Sequence, residues 1–248
     1  MNGESNSIRI FLFIFIIVVY LSNSEAQDLS LKINTDLVSR YIWRGLNVNN
    51  QPNIQPAVTF EYTRFKLGLW GSYGLNNQNL SDENYSVSQE IDTWLGYSFK
   101  FDNRFSIGII FTDYYYPVGG QKICNFKSKG AGAHTIEGEL NIIGPESFPL
   151  SLGGYINIYN DKGNNIYIQT DYSLHMKEVE LEFFAGAAVG SQDNSGYYGT
   201  EKFNVINVGI KASKQIKITA DFSLPIYCSY ILNPQVEISY LVFGISIS

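Results

Sequence analysis

The sequence is short of cysteine, charge and long hydrophobic runs. Only two of its 248 residues are cysteine, Cys124 and Cys228, which is too few for a disulfide framework of the kind that stabilises small secreted domains. Charged residues make up 16% of the chain, against about 25% in ordinary soluble domains. The mean hydropathy of -0.07 is also far below that of a helical membrane protein. Disulfide scaffolds and helical membrane bundles are therefore excluded, and an ordinary soluble domain is a poor fit.

Basic runs and nucleotide-binding motifs are missing as well. The net charge is -6, and no basic segment could neutralise a row of phosphates, so we expect no nucleic-acid partner. No glycine-rich loop follows a strand and opens a helix, as nucleotide-binding motifs require. The two histidines are not part of any metal-ligand pattern. The sequence therefore predicts no cofactor and no metal site.

The one long apolar run lies at the N-terminus. Residues 10–21 are uninterrupted by polar side chains except Tyr20, and about 12 apolar residues suit a signal-peptide core better than a membrane-spanning helix of about 20. Small residues flank Glu25 at the two positions that a signal peptidase reads. We therefore expect a signal peptide over residues 1–26, with cleavage before Gln27, and a single mature domain over residues 27–248.

What the mature chain does have is alternation. Between residues 29 and 44 the odd positions are mostly apolar and the even positions mostly polar. A period of two is typical of a β-strand, because a helix would scramble it. A strand of about fifteen residues is longer than the usual 5–6 of globular proteins. It suits a tilted strand that crosses a bilayer with its ends in water.

The same alternation recurs along the chain, which predicts about twelve strands, an even number that places both termini on one side of a membrane. The further strands are expected at 54–62, 65–74, 90–99, 105–116, 133–143, 150–159, 166–175, 179–189, 203–212, 216–224 and 235–247. Long polar connections at 76–88, 117–129 and 190–202 alternate with tight ones, as in outer-membrane barrels with short periplasmic turns. Aromatic residues, 15% of the chain, cluster near strand ends, where two interfacial girdles would lie. The fold class is therefore all-β: a transmembrane, antiparallel, up-and-down β-barrel in the cell outer membrane.

The segment from Val38 to Gly45 resembles the opening strand of the TorF-type porin family, small outer-membrane proteins of unknown substrate. Five residues carry this resemblance: Ser39, Tyr41, Trp43, Arg44 and Gly45. Residues 55–58 and 68–72 look like the hairpin that follows in that family. The resemblance covers about residues 29–73 and implies a channel or uptake role, without naming a reaction or a ligand.

The inward register of these strands predicts which charges line the lumen. If the first strand rises from the periplasm, Arg40 and Arg44 face inward in the outer half of the barrel. Closure brings the last strand beside the first, so we expect one of these arginines to meet Glu237. The other inward acidic residues at mid to outer depth are Glu90, Asp92, Glu137, Glu139, Asp171 and Asp221.

Three functions are compatible with such a barrel. The first is a channel for passive passage of small polar solutes, with a preference for cations because of the acidic excess. The second is a non-conducting structural or surface-binding barrel, in which the lumen charges pair with each other and the long loops bind something outside. Twelve strands leave the choice open, since eight give a filled lumen and sixteen a water-filled one.

The third is a lipid hydrolase with a serine and a histidine on the outer wall. His134 falls on the lipid-facing register near the outer rim, but no serine is evident at its height on a neighbouring strand, so we predict that the protein is not an enzyme. The expected partners are outer-membrane lipid, small polar solutes and the barrel-assembly machinery. The oligomeric state stays open, as does pairing between Cys124 and Cys228, which both fall in predicted outer loops and would be allowed to pair in an oxidising compartment.

Overall fold

The computed structural model describes residues 29–75, 89–101, 104–117, 121–128, 130–190 and 197–247. The predicted signal peptide, residues 1–26, lies outside the described residues, and so does the predicted loop 76–88. No helix within the described ranges is long and apolar enough to cross a membrane.

The described residues form fourteen β-strands, of which twelve close into a barrel and two, β2 and β3, form a separate small sheet. The strands are β1 Leu29–Val38, β2 Tyr41–Trp43, β3 Leu46–Asn49, β4 Asn53–Tyr62, β5 Phe65–Gly74, β6 Gln89–Phe101, β7 Phe105–Tyr115, β8 His134–Ile143, β9 Leu150–Tyr159, β10 Ile166–Met176, β11 Val179–Gly190, β12 Asn204–Lys217, β13 Ser223–Asn233 and β14 Ile238–Ile247.

Every barrel strand pairs antiparallel with its neighbours in chain order, and β1 closes the barrel against β14. β1 pairs with β4 along its whole length. Its pairing with β14 is limited to the four residues from Thr35 to Val38. The prediction of an all-β, twelve-stranded, up-and-down barrel is therefore confirmed, with a short closing seam.

The four longest connections all lie at one end of the barrel. At one end, which we call the short-turn end, the strands are joined at 63–64, 102–104, 144–149, 177–178 and 218–222. At the other, the long-loop end, the connections are 39–52, 75–88, 116–133, 160–165, 191–203 and 234–237. The connections 39–52, 75–88, 116–133 and 191–203 are thus longer than every turn at the other end, as predicted for an outer-membrane barrel.

The barrel is apolar outside and polar inside, the reverse of a soluble domain. On β1, Leu29, Leu31 and Ile33 are each more than 60% exposed on the outer face. Buried polar residues are found instead on the inner face, for example Asn53, Gln55, Ser72, Glu90 and Asn207. Such an outer band must be covered by an apolar medium, because exposing it to water costs about 25 cal/mol per Å².

Four aromatic rings on the inner face pack against the wall, because each covers a glycine on a neighbouring strand. Trp94, Phe184 and Tyr227 cover their register partners Gly68, Gly209 and Gly244, and Tyr167 covers Gly186, which lies diagonal to it. A ring that lies over a glycine occupies the space that a Cβ would fill, and so projects less into the lumen.

The strand predictions are wrong at two places. The first predicted strand, 29–44, ends in the structure at Val38, and the chain then forms the β2–β3 hairpin. The predicted break near residues 213–215 is also absent, because β12 continues to Lys217 and the turn follows at 218–222. As a result Cys228 lies within β13 and not in an outer loop.

Candidate functional site

The site is organised by a hairpin that enters the barrel from the long-loop end. This lumen hairpin, residues 39–52, contains β2 and β3, which pair with each other and not with the barrel sheet. Its tip has Arg44 at φ 50° and Gly45 at φ 77°. Two consecutive positive φ angles are typical of the tight turns that match the twist of a hairpin. Glycine adopts this conformation readily, whereas arginine is strained in it.

Contacts with the wall show that the lumen hairpin extends into the barrel. At one side, the ring of Tyr41 lies 5.6 Å from that of Trp70 on β5. Trp43 contacts Tyr114 on β7, with 6.1 Å between ring centroids. The lumen hairpin is inserted between β1 and β4. Its contacts therefore reach β5, the next strand round the barrel, and β7, two strands farther on.

The tip of the lumen hairpin docks against the backbone of two further strands. A Cβ built on Gly45 would lie 1.9 Å from the carbonyl oxygen of Ile206 on β12. The side-chain amide of Asn233 on β13 donates a 3.1 Å hydrogen bond to the Gly45 carbonyl. Only a glycine allows the turn to approach the wall this closely.

Arg44 at the tip forms a two-point ion pair with Glu137 on β8, nearly opposite the root of the hairpin. Its Nη1 lies 2.6 Å from Oε2 of Glu137 and its Nη2 lies 2.8 Å from Oε1. The side chains are 9% and 1% exposed, so the pair is removed from water. Parallel N–H donors on a planar guanidinium make this the strongest common geometry for a carboxylate.

Aromatic rings surround the same guanidinium. Its Cζ lies 4.1 Å from the ring centroid of Tyr155, 4.7 Å from that of Tyr167 and 4.5 Å from that of Trp43. A cation over the face of an aromatic ring is attracted to the negative face of the ring, more so where water is excluded. Arg44 is thus held by charge and by ring faces together.

Tyr198, from the loop between β11 and β12, completes this guanidinium site. Its hydroxyl accepts a 2.7 Å hydrogen bond from Nη1 of Arg44, and its ring stacks on Trp43 at 5.6 Å. Burial raises the pKa of the Tyr198 phenol, so the hydroxyl stays protonated at neutral pH. Tyr114 donates a 2.9 Å hydrogen bond to Oε1 of Glu137, which fixes the carboxylate in place.

A pair of carboxylates lies beside the root of the hairpin. Glu90 and Asp92 both point inward from β6 and are buried. The phenols of Tyr41 and Tyr116 interact with the Glu90 carboxylate. Oδ1 of Asp92 has no hydrogen-bond partner within the described residues. No ion pair in the described part of the chain neutralises either residue.

Inward side chains are buried at the level of the lumen hairpin and become more exposed towards the short-turn end. On β8, Glu137 is fully buried, whereas the next inward residues, Glu139 and Asn141, are half-buried. On β6 the inward side chains run from buried Glu90 to exposed Lys100. The hairpin therefore narrows the lumen near the long-loop end and leaves a polar vestibule between it and the short-turn end.

The predicted site residues lie in four different places. Arg44, Glu137, Glu90 and Asp92 gather in the layer of the lumen hairpin. Arg40 lies at the base of the hairpin, where its Nε is buried without a hydrogen-bond partner among the described residues.

Glu139 and Asp171 line the vestibule, and Asp171 accepts hydrogen bonds from Gln169 and Ser151. The prediction that Asp221 and Glu237 face the lumen is wrong, because both residues lie in exposed turns and not on strands. The expected pair between Arg40 or Arg44 and Glu237 is wrong, because Arg44 reaches across the lumen to Glu137.

Sequence reasoning missed the tyrosines of the guanidinium site. Tyr155 and Tyr167 occupy inward positions of β9 and β10, so strand parity could have identified them. Tyr198 lies in a loop, where alternation gives no information, and nothing in the sequence indicates that this loop enters the lumen.

His134 lies on the outer face of β8, as predicted, but it is covered by the loop 121–133. Its ring is sandwiched between Tyr115 and Phe126, with centroid distances of 4.9 and 3.9 Å. Nδ1 lies 2.9 Å from a carboxylate oxygen of Asp113, and Nε2 lies 2.6 Å from the carbonyl oxygen of Ile123. Both nitrogens thus face acceptors, and Nε2 faces no hydroxyl that it could activate.

Neither cysteine is part of a disulfide: Cys124 is an exposed free thiol in the loop 121–133, and Cys228 is a free thiol on β13. No cluster of three or more metal-ligating side chains occurs within the described residues.

Comparisons with known proteins agree with this architecture. Residues 23–225 match the family model described as "Bacterial protein of unknown function (Gcw_chp)". A solved KdgM porin is similar at a TM-score of 0.54 with 12% sequence identity, and the match covers 88% of this chain and 99% of that one. At this identity the likeness shows the fold alone, a porin-like transmembrane barrel. A search of curated proteins gives no match, and the narrower resemblance to TorF-type porins stays a prediction.

Proposed function

The chain belongs to the Gcw_chp family of bacterial proteins of unknown function, and we propose that it is an outer-membrane channel of the porin type, constricted by the lumen hairpin. The observation that carries this proposal is the polar lumen of a closed twelve-stranded barrel, crossed at one level by a hairpin that is not part of the wall. The apolar outer face is what lipid would cover. Folding into the outer membrane would involve the barrel-assembly machinery.

Small polar solutes, and cations in particular, are the substrates that this constriction favours. Glu137 neutralises Arg44, so the ion pair adds no net charge to the path. Glu90 and Asp92 remain beside it without a cationic partner among the described residues. Carboxylates in a narrow, partly dehydrated passage attract cations and repel anions.

Planar-bilayer recording of the purified full-length protein tests this proposal. In a KCl gradient, the wild type is expected to conduct, and the sign of its reversal potential should indicate selectivity for cations over anions. The double substitution Glu90→Gln and Asp92→Asn should move that potential towards zero. Glu178→Gln is the matched control, because this exposed carboxylate lies in a turn outside the lumen and should leave the selectivity unchanged.

A non-conducting structural or surface-binding barrel is the second candidate, and the buried pair of Arg44 with Glu137 favours it. In that case the ion pair is a permanent part of a filled lumen. A folded protein that fails to conduct, even after the lumen hairpin is loosened by substitution at Gly45, would support this candidate and contradict the channel. The hydrolase alternative has no comparable support, since Nε2 of His134 is bonded to a backbone carbonyl.

A further inference from the structure

The residues that hold Arg44 belong mostly to the barrel wall and form a binding site without it. Glu137 comes from β8, Tyr155 from β9 and Tyr167 from β10, and the loop residue Tyr198 lies beside them. A carboxylate that meets two parallel N–H groups, together with ring faces on the remaining sides, is the chemistry that recognises a planar guanidinium. The wall therefore presents a site in which Arg44 is the occupant.

The contacts of Arg44 and Gly45 hold the tip of a short hairpin, whose sides meet the wall through the rings of Tyr41 and Trp43. β2 and β3 have three and four residues, and an isolated two-stranded hairpin of this length is unstable by itself. Arg44 also has a positive φ of 50°, which is strained for a non-glycine residue. The docked state thus depends on the Arg44 contacts and on the approach of Gly45 to Ile206.

We propose that this wall site binds solutes that carry a guanidinium group, that Arg44 is a built-in competitor for it, and that such a solute releases the lumen hairpin and opens the channel. The binding part rests on the geometry of the site, and the opening part rests on the proposed channel function.

Charge explains why only a cation can exchange with Arg44. When the hairpin leaves, Glu137 would remain as a buried, unpaired carboxylate, which is strongly unfavourable. A solute guanidinium restores the ion pair and the ring contacts, whereas a neutral solute does not. Because Arg44 is tethered, its effective concentration at the site is on the order of millimolar, so a free solute must reach a similar concentration to compete.

L-Arginine and L-citrulline form a matched pair of probes, because citrulline carries an uncharged ureido group in place of the guanidinium. In bilayers that contain the wild type, millimolar L-arginine is expected to raise the mean conductance several-fold. L-Citrulline at the same concentration and ionic strength should leave it unchanged. An equal response to both probes, or to neither, in a conducting barrel would overturn the proposal.

A binding measurement separates the site from the channel. Arg44→Ala vacates the site, and L-arginine should then bind with a saturable rise in the thermal transition, which L-citrulline does not produce. Adding Glu137→Gln to Arg44→Ala should abolish that rise. If Arg44→Ala does not fold, Arg44→Gln serves, because it keeps a long polar side chain but removes the charge that competes for Glu137.

The two proposals can fail separately. If the Arg44→Ala protein binds L-arginine but no form of the protein conducts, the guanidinium site is supported and the channel is refuted. A protein that conducts, but whose Arg44→Ala form shows no binding of L-arginine, keeps the channel and refutes the site.

Discussion

Trp94 on β6 lies over Gly68 on β5, its register partner in the barrel wall. A Cβ built on Gly68 would stand 2.0 Å from Cε2 of the indole, so the ring fits against the wall only because position 68 has no side chain. Three more inward aromatic rings each lie over a glycine of a neighbouring strand, which accounts for part of the glycine content. It also keeps large rings from filling the vestibule below the lumen hairpin.

Gly68→Ala is therefore expected to lower the free energy of unfolding by about 1–3 kcal/mol, the usual cost of overpacking, because the indole must leave the wall. The measurement is the temperature at which the folded barrel loses its heat-modifiable gel mobility. Gly154→Ala is the control, since a Cβ built there meets nothing within 4 Å. Equal transition temperatures for the two variants would contradict this packing.

The barrel could be predicted from the sequence because one physical rule acts on every wall strand. Lipid on one side and a polar lumen on the other enforce a two-residue period, which needs no knowledge of the partner strand. The rule fails at residues 39–44, because the lumen hairpin is itself made of β-strands. The polar and apolar alternation of the hairpin continues that of β1, so the sequence does not indicate where the wall strand ends. In the structure, the positive φ angles of Arg44 and Gly45 mark the turn.

The site was only partly predictable for a related reason. Strand parity indicates which side chains face inward, and it correctly groups Glu90, Asp92 and Glu137 on the lumen side. It does not indicate which charges meet across the lumen, because that depends on where the hairpin tip docks. The turn predicted near residues 213–215 is misplaced because the polar residues there belong to the end of β12. Polar residues at a strand end can face water or the lumen, so they do not by themselves indicate a turn.

Gly45→Ala should undock the lumen hairpin, because its Cβ would collide with the Ile206 carbonyl. We expect faster limited trypsin cleavage after Arg40 and Arg44, together with a higher mean conductance in bilayers. Gly199→Ala is a matched control: Gly199 also has a positive φ, of 70°, but the nearest atom to its added Cβ is 4.0 Å away. If both variants were cleaved at the same rate, backbone strain and not docking would be the cause.

Arg44 and Glu137 should show strong coupling in a double-mutant cycle. Glu137→Gln leaves a buried guanidinium without its counter-charge, and Arg44→Met leaves a buried carboxylate. Either single change is therefore expected to destabilise the docked hairpin more than the double change does. Hydrogen exchange of residues 41–49 measures this, with an expected coupling of about 1–3 kcal/mol.

The exposed pair of Lys214 with Glu178, 2.7 Å apart, is the comparison for that cycle and should show no measurable coupling, because water screens both groups. Additive effects of Arg44 and Glu137 would mean that the buried pair does not hold the hairpin.

His134 should fix the loop 121–133 against the outer wall. His134→Ala removes the ring between Tyr115 and Phe126 and both polar contacts, so trypsin is expected to cut faster after Lys122 and Lys127. His134→Phe, which keeps the stacked ring but loses the contacts to Asp113 and Ile123, should give an intermediate rate. His175→Ala is the control, because that histidine is 73% exposed near the short-turn end. Protection that survives His134→Ala would show that other contacts hold the loop.

The two cysteines report which end of the barrel faces outward. Cys124 is exposed at the long-loop end, while Cys228 lies on β13 among residues of the outer, lipid-facing wall. A membrane-impermeant maleimide applied to intact cells should therefore label Cys124 and leave Cys228 unlabelled, so that Cys124→Ser abolishes the signal. A second protein, with Cys124→Ser and Lys177→Cys, carries its accessible thiol at the short-turn end and should be labelled only after the outer membrane is permeabilised. The reverse pattern would place the long loops in the periplasm, and the lumen hairpin would then close the barrel from the inside.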